Sequence, residues 1–93
     1  MSDTREILTE RGKRYGAFSK HALVTQRLKE VMQASPNFQN NSLSVGMLEA
    51  LEMIFHKIGR ILNGDPTYDD SWKDIAGYAQ LVVDIINGKE TEK

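Results

Sequence analysis

Apolar residues recur at helical spacing along most of the chain, most clearly between residues 47 and 62. At 100° per residue, one half of that segment collects apolar side chains and the other half collects polar ones. The apolar half is Met47, Leu51, Ile54, Phe55, Ile58, Ile61 and Leu62, and the polar half is Glu49, Glu52, His56, Lys57 and Arg60. The pattern predicts a helix over Met47 to Leu62, which Asn63 and Gly64 end.

Two earlier helices are predicted from cap residues and shorter apolar stripes. A capping box that starts at Asp3 indicates a short helix over about Thr4 to Arg11, ended by Gly12. Ser19 is a good N-cap for a second helix over Lys20 to about Ala34. The buried stripe expected on that helix is Val24, Leu28 and Val31.

The remaining chain is a loop over residues 35 to 44 and a last helix. The loop is dense in Ser, Pro, Asn and Gln, which favour turns. The last helix opens at Asp69, Asp70 or Ser71, where Ser71 and Asp74 have the spacing of a capping box, and Asn87-Gly88 ends it. Its expected inner face is Trp72, Ile75, Ala76, Ala79, Val82, Val83 and Ile86.

These elements predict an all-α fold, with three main helices and a short N-terminal one in a single domain over residues 1–93. Residues 88–93 are expected to be a frayed tail. Leu81 and Ile85 fall outside the inner face of the last helix, and a small monomer has little core in which to bury a second apolar patch. The pattern therefore favours a homo-oligomer, at least a dimer.

Composition narrows the class of protein without naming a function. Of 93 residues, 40% are apolar and 27% are charged, and the formal net charge is −1. No apolar run approaches the roughly 18 residues of a membrane span, and the first residues lack the apolar stretch of a secretion signal. The chain is therefore expected in the cytoplasm, with no membrane partner. The absence of cysteine excludes disulfide frameworks, zinc ribbons and thiol catalysis.

Charge is split along the chain, and its basic part suggests an anion site. Residues 1–31 carry seven Lys/Arg against four Asp/Glu, while residues 47–87 carry three against seven. That basicity is too weak for a sequence-specific nucleic-acid binder. Guanidinium groups beside an aromatic ring can clamp a phosphate and stack on a base. The candidate ligand-binding residues are Arg11, Lys13, Arg14, Tyr15, His56, Lys57 and Arg60.

Each of these residues also has a plainer interpretation. The basic segment has no Walker or Rossmann glycine spacing, and it can serve simply as a solvated face that pairs with acidic helices. His56 shares a helix face with Glu52 and Arg60, so it can bind a ligand, act as a general base, or form an ordinary hydrogen bond.

Two pairs of acidic residues suggest a metal site as an alternative. Glu49 and Glu52 project from one helix face, and Asp70 and Asp74 project from the next helix. If those helices are antiparallel, four carboxylates can converge on Mg²⁺, which prefers oxygen ligands. The competing interpretation is that the glutamates are ordinary helix formers and that the aspartates favour the positive end of a helix.

Three segments of the chain carry a resemblance to known proteins. They read ERGKRYGAF (residues 10–18), ALEMIFHKIGRILNGDPTYDDSW (50–72) and DIAGYAQLV (74–82). Together they resemble a family of small helical phage and prophage proteins, over nearly the whole chain. More distantly, Glu49 and Glu52 followed by an Asp-bearing helix resemble the all-α nucleotide pyrophosphatases of the MazG type, which hold Mg²⁺ with two acidic pairs. Ser71 stands where that pattern has an acid three positions before Asp74.

These observations lead to one favoured function and two alternatives. The favoured hypothesis is a phage-encoded, non-enzymatic protein that sequesters a phosphorylated nucleotide, cyclic ones included, as an anti-defence sponge. Sequestration of this kind requires no cofactor. One alternative is a Mg²⁺-dependent, MazG-like nucleotide pyrophosphohydrolase that uses the four carboxylates. The other is a helical protein that inhibits a host protein through its surface.

Overall fold

The computed structural model describes residues 2–90, with side chains from residue 4 onward, and its regular elements in that range are all helices. They are α1 (Ser2–Tyr15), α2 (Phe18–Gln33), α3 (Pro36–Gln39), α4 (Val45–Asn63) and α5 (Asp69–Ile86). The predicted all-α class is confirmed. The capping box predicted at Asp3 lies outside the described side chains, as does the end of the predicted tail. No helix in the described range is long and apolar enough to cross a membrane.

The junction of the first two helices differs from the prediction. α1 continues through Gly12, because a glycine inside a helix costs only about 1 kcal/mol, so the predicted end at Gly12 is wrong. The helix ends before Gly16, whose φ of 82° lies in the left-handed region that favours glycine. α2 follows Ala17, which offers no side-chain cap. The predicted N-cap at Ser19 is therefore wrong, and Ser19 lies inside the helix.

The segment predicted as an uninterrupted loop contains the short helix α3. The hydroxyl of Ser35 accepts a hydrogen bond from the backbone N–H of Phe38 and caps this helix. Pro36 occupies the first turn, where its missing N–H costs no helical hydrogen bond. The turn-forming residues in 35–44 therefore start a short helix as well as connecting two long ones.

α4 begins earlier than predicted, whereas α5 begins at one of its predicted positions. α4 starts after Ser44, whose hydroxyl accepts a hydrogen bond from the backbone N–H of Met47 at 3.1 Å, and it ends before Gly64 as predicted. α5 begins at Asp69, the first of its three predicted starting residues, so the predicted capping box of Ser71 and Asp74 does not open the helix and is wrong. Ser71 is instead buried within the first turn of the helix.

α4 is the middle one of the three main helices. α4 packs against α2 on one side and α5 on the other, while α2 and α5 make no contact with each other in the described residues. α1 attaches to α4 and to the start of α2. Neighbouring main helices run antiparallel, as the residues that meet across them show: His21 with His56, Lys29 with Glu52, Lys57 with Asp74, and Ile85 with the backbone at Gly46.

Small residues occupy most of the buried positions, so the core differs from the predicted one. Where α2 crosses α4, a Cβ added to Gly59 would lie 2.8 Å from Nδ1 of His21. Trp72, predicted on the inner face of the last helix, is 54% exposed. Val31, predicted on the buried stripe of α2, is also exposed. The buried residues are Thr25, Met32, Ala50, Gly59 and Ser71.

The buried side of α5 is rotated away from the predicted inner face. Its buried and half-buried positions follow Ser71 at helical spacing: Ile75, Tyr78 and Val82. The predicted inner-face residues Trp72, Ala76, Ala79, Val83 and Ile86 are exposed instead. Leu81 and Ile85 are exposed, as predicted. Trp72, Leu81, Val83 and Ile86 therefore lie outside the contact with α4, whereas Ile85 still reaches Gly46.

Candidate functional site

A cavity of about 520 Å³ opens where the end of α1 and the start of α2 meet α4. Close backbone contacts hold α1 in place there. The backbone N–H of Asp65 donates to the carbonyl oxygen of Arg14 at 2.7 Å. A side chain on Gly16 would overlap the carbonyl of Asn63, and one on Gly64 would overlap the carbonyl of Arg14. Glycine at both positions is what allows α1 to lie against the end of α4.

Side chains from three helices line this cavity, and none of them is acidic. They are Leu8, Arg11 and Tyr15 from α1, Phe18 and His21 from α2, and His56 and Arg60 from α4. Four of the seven predicted ligand-binding residues therefore meet here: Arg11, Tyr15, His56 and Arg60. Because arginine is always charged, the cavity is positively charged at neutral pH.

The two cavity arginines have no carboxylate partner among the described side chains. The ion pairs within residues 4–90 are Lys29–Glu52, Lys57–Asp74 and Lys73–Asp69. None of them includes Arg11 or Arg60. Their guanidinium N–H groups are therefore available to bind a phosphate, with which arginine forms paired, charge-assisted hydrogen bonds.

Two stacked arginine–tyrosine pairs, here called the ladder, hold one side of the cavity in place: Arg60 on Tyr15 and Arg14 on Tyr68. The guanidinium of Arg60 lies over the ring of Tyr15, 4.3 Å from its centroid, and that of Arg14 lies 4.4 Å over the ring of Tyr68. The two tyrosine rings meet edge to face, with centroids 6.2 Å apart. The Tyr68 hydroxyl donates to Asp70 at 2.9 Å, and this hydrogen bond raises the pKa of Tyr68. The ladder joins α1 to α4 and to the start of α5.

The ladder changes the expected roles of two predicted residues. The ring of Tyr15 is already covered by Arg60, so Tyr15 positions that arginine and is less free to stack on a base. Arg14 also donates to the Tyr68 hydroxyl at 3.3 Å and does not line the cavity. Both residues therefore hold α1 in place beside the cavity.

The remaining two predicted contacts lie away from the cavity. Lys13 is exposed in the last turn of α1 and does not line it. Lys57 forms an ion pair with Asp74, with Nζ 3.1 Å from Oδ2, and its side chain is largely buried. Lys57 therefore connects α4 to α5, while Lys13 fits the solvated interpretation of the basic segment.

Two histidines hydrogen-bond to each other across the contact of α2 and α4. Nε2 of His21 lies 3.2 Å from Nδ1 of His56, and the ring planes differ by 21°. The centroids of the two rings are 5.4 Å apart. This distance is close to the sum of the distance between the two nitrogens and the radii of the two rings. The two nitrogens therefore point at each other, as in an N–H···N hydrogen bond, in which one ring donates and the other accepts.

The surroundings of the histidine pair favour its neutral form. Burial is the main cause that lowers the pKa of His21, followed by His56 and Arg60. Burial also lowers the pKa of His56, with further effects of Lys29, Arg60 and Lys57, while Glu52 opposes them. Both rings are therefore largely neutral near pH 7, so the fixed positive charge of the cavity comes from its arginines.

The four carboxylates proposed as Mg²⁺ ligands do not converge. Glu52 pairs with Lys29 at 3.7 Å, Asp74 pairs with Lys57, and Asp70 accepts the hydrogen bond from Tyr68. Among the described side chains, no group of three or more His, Asp or Glu residues is placed to hold a metal ion. The arrangement therefore does not fit the metal centre that the MazG resemblance implies.

Sequence reasoning missed His21 and Phe18 as cavity residues. Phe18 is largely exposed, and its ring lies nearly parallel to that of His21, with centroids 6.4 Å apart. The available signal was that the chain has only two histidines, on helices expected to pack together. In antiparallel helices, residues near the start of α2 meet residues near the end of α4, which would have paired His21 with His56.

Comparison of the chain with protein-family models, curated proteins and solved structures gives no match. The chemistry of the cavity is therefore inferred from its own residues.

Proposed function

We propose that this chain binds a phosphorylated nucleotide in the cavity between α1, α2 and α4, and that it does so without hydrolysing it. The observation that carries the proposal is the pairing of Arg11 and Arg60 in one cavity that has no acidic side chain. Neither guanidinium has a carboxylate partner among the described side chains. A phosphate group would therefore meet arginines whose N–H groups are free.

The rest of the cavity suits the base of a nucleotide. Phe18 and Leu8 provide apolar surface, and the neutral histidine pair provides ring edges for hydrogen bonds. Base stacking on an aromatic ring stabilises binding by about 1 to 3 kcal/mol. A cavity of about 520 Å³ lies within the usual range for small-molecule sites, roughly 300 to 1,000 Å³. Phe18 replaces Tyr15 as the candidate stacking residue.

The biological side of the proposal is sequestration. In line with the sequence resemblance, the chain is proposed to be a phage product, in the host cytoplasm, that withdraws a linear or cyclic nucleotide signal used in host defence. Binding without turnover is supported by the carboxylates, three of which are engaged by other side chains. The proposal includes a homo-oligomer as the working form.

The deciding experiment is ligand recovery from the purified protein. The protein is incubated with a panel of linear and cyclic nucleotides, with and without Mg²⁺, and the bound ligand is identified after denaturation. We expect an intact nucleotide in both conditions. Mg²⁺-dependent release of pyrophosphate that is lost in Glu52→Gln would overturn the proposal in favour of the hydrolase. Absence of any bound nucleotide would also overturn it and leave inhibition of a host protein as the alternative.

Matched arginine and lysine variants test the location of the site. Arg11→Gln and Arg60→Gln should each weaken binding of the recovered nucleotide about 10- to 100-fold, the range for removal of a charge-assisted hydrogen bond. Lys13→Gln removes a positive charge from the same helix as Arg11, but from outside the cavity, and should change affinity little. Equal losses in Lys13→Gln and Arg11→Gln, measured by calorimetry, would mean that net charge and not the cavity determines binding.

A further inference from the structure

α5 carries a continuous apolar stripe that the described residues leave uncovered. Trp72, Val83 and Ile86 are 54%, 45% and 63% exposed, and exposed Ala76 and Ala79 lie between them. Steps of four and three residues alternate along the stripe, which is the spacing of a seam between two paired helices.

The chain exposes more surface than a folded monomer of its mass. Its accessible surface is 7039 Å², whereas scaling relations give about 5,400 Å². The radius of gyration is 15.6 Å, against about 12 Å for a compact domain of this length. The excess is about 1,600 Å², and a stable interface takes about 800 Å² from each partner. The chain therefore has free surface of the size that an interface with a second copy would bury.

The stripe is complementary to itself when two copies run antiparallel. Ala79 is its midpoint, so antiparallel pairing about Ala79 sets Trp72 opposite Ile86 and brings Ala76 within one residue of the position opposite Val83. The two Ala79 side chains meet at the axis and let the helices approach closely, while Trp72 and Ile86 fill the space at both ends. Parallel pairing would instead set the two Trp72 side chains against each other. Trp72 is also held in place, because its Nε1 donates to the carbonyl of Pro66 at 2.9 Å.

We propose that a second copy of this chain covers the stripe, with the two α5 helices antiparallel across a two-fold axis at Ala79. The inference places the dimer contact on a different face of α5 from Leu81, which the sequence pattern had suggested. It depends on packing and not on the cavity, so it stands or falls separately from nucleotide binding. Trp72 is exposed and held in place by its hydrogen bond, and such tryptophans often contribute much of the binding energy of an interface.

Molar mass measured by light scattering after gel filtration tests the contact. The parent protein should have twice the mass of one chain, or an even multiple of it. Val83→Asp places a charge in the stripe. It should halve the measured mass, to that of the monomer or of the smaller oligomer that forms without this contact. Leu81→Asp is the matched control, because Leu81 is 57% exposed on the opposite side of the same helix, and it should leave the mass unchanged. A monomeric parent, or equal effects of the two variants, would overturn the proposal.

Cysteine cross-linking tests the direction of the pairing with mild substitutions. The chain has no native cysteine, so a single introduced cysteine can cross-link only to the same residue of another copy. Ala79→Cys should form a disulfide dimer on oxidation, because the two residues meet at the axis. Ile86→Cys should not, since antiparallel pairing keeps its two copies far apart. A disulfide dimer of Ile86→Cys, or none of Ala79→Cys, would exclude this arrangement.

Discussion

Replacing Gly64 with alanine should detach α1 from the rest of the protein. A Cβ at this position would overlap the carbonyl of Arg14 and would lie 2.4 Å from Cα of Tyr15. Both neighbours are backbone, so no side-chain rotation relieves the overlap. The strain can be removed only by moving the end of α1 away from the end of α4.

The main interactions between the end of α1 and α4 indicate the size of the cost of this substitution. They include the backbone hydrogen bond at the Arg14 carbonyl and the stacking of Arg60 on Tyr15. A typical hydrogen bond contributes about 1 kcal/mol and an exposed cation–π interaction about 0.5 to 1 kcal/mol. We therefore expect Gly64→Ala to lower the free energy of unfolding by about 2 kcal/mol. That decrease corresponds to roughly 10 °C in Tm for a domain of this size.

Urea unfolding and hydrogen exchange together measure this effect. Amides of α1 should lose protection in Gly64→Ala, while those of α4 and α5 keep it, and nucleotide binding should fall because Arg11 leaves the cavity. Gly12→Ala is the matched control, since a Cβ at Gly12 meets no atom within 4 Å and alanine favours the helix. Unchanged stability and unchanged α1 protection in Gly64→Ala would refute the reasoning.

Two further predictions concern stability. Gly77→Ala should stabilise the protein by about 0.5 to 1 kcal/mol, because Gly77 lies inside α5 with open space around it, and a lower Tm would contradict this. The pKa values of His21 and His56 are lowered in the folded protein, so the unfolded chain binds more protons than the folded one. The stabilising effect of the neutral pair is therefore complete above about pH 6.5 and is lost as the pH falls below that value. Urea unfolding at about pH 7.5 and about pH 5.5 should therefore show a smaller loss of stability in a His21→Gln/His56→Gln variant than in the parent, and equal losses would contradict the assignment.

The existence and order of the main helices could be predicted from the sequence, because they depend on local signals. Periodic apolar positions located α4 within two residues of its start, and Gly64 marked its end. The predicted helix boundaries were wrong where tertiary contacts outweighed a local conformational preference. α1 passes through Gly12 because the contacts of Tyr15 with Arg60 and Tyr68 lie beyond it. Those contacts join residues that are far apart in the sequence, and nothing in the local pattern indicates them.

The cavity could be predicted only in part, for the same reason. Arg11, Tyr15, His56 and Arg60 were identified by residue type, which the sequence shows directly. Whether an arginine faces a cavity or a neighbouring ring depends on its angle around the helix and on which helix packs beside it. Arg14 and Arg11 are three residues apart on α1, yet only Arg11 lines the cavity.

The core of α5 was predicted wrongly because small residues lie where the helices meet. Helices that approach closely need small residues at the crossing, and this chain places Thr25 against Gly59 there. Ser71 and Ala50 are likewise buried, while Trp72 is not. Reasoning from hydrophobicity assigns the largest apolar residues to the contact between neighbouring helices, whereas close crossings through small residues leave Trp72 outside that contact. The exposed stripe of α5 is therefore where a core would be expected if a second layer were present, which is the role that a second copy would fill.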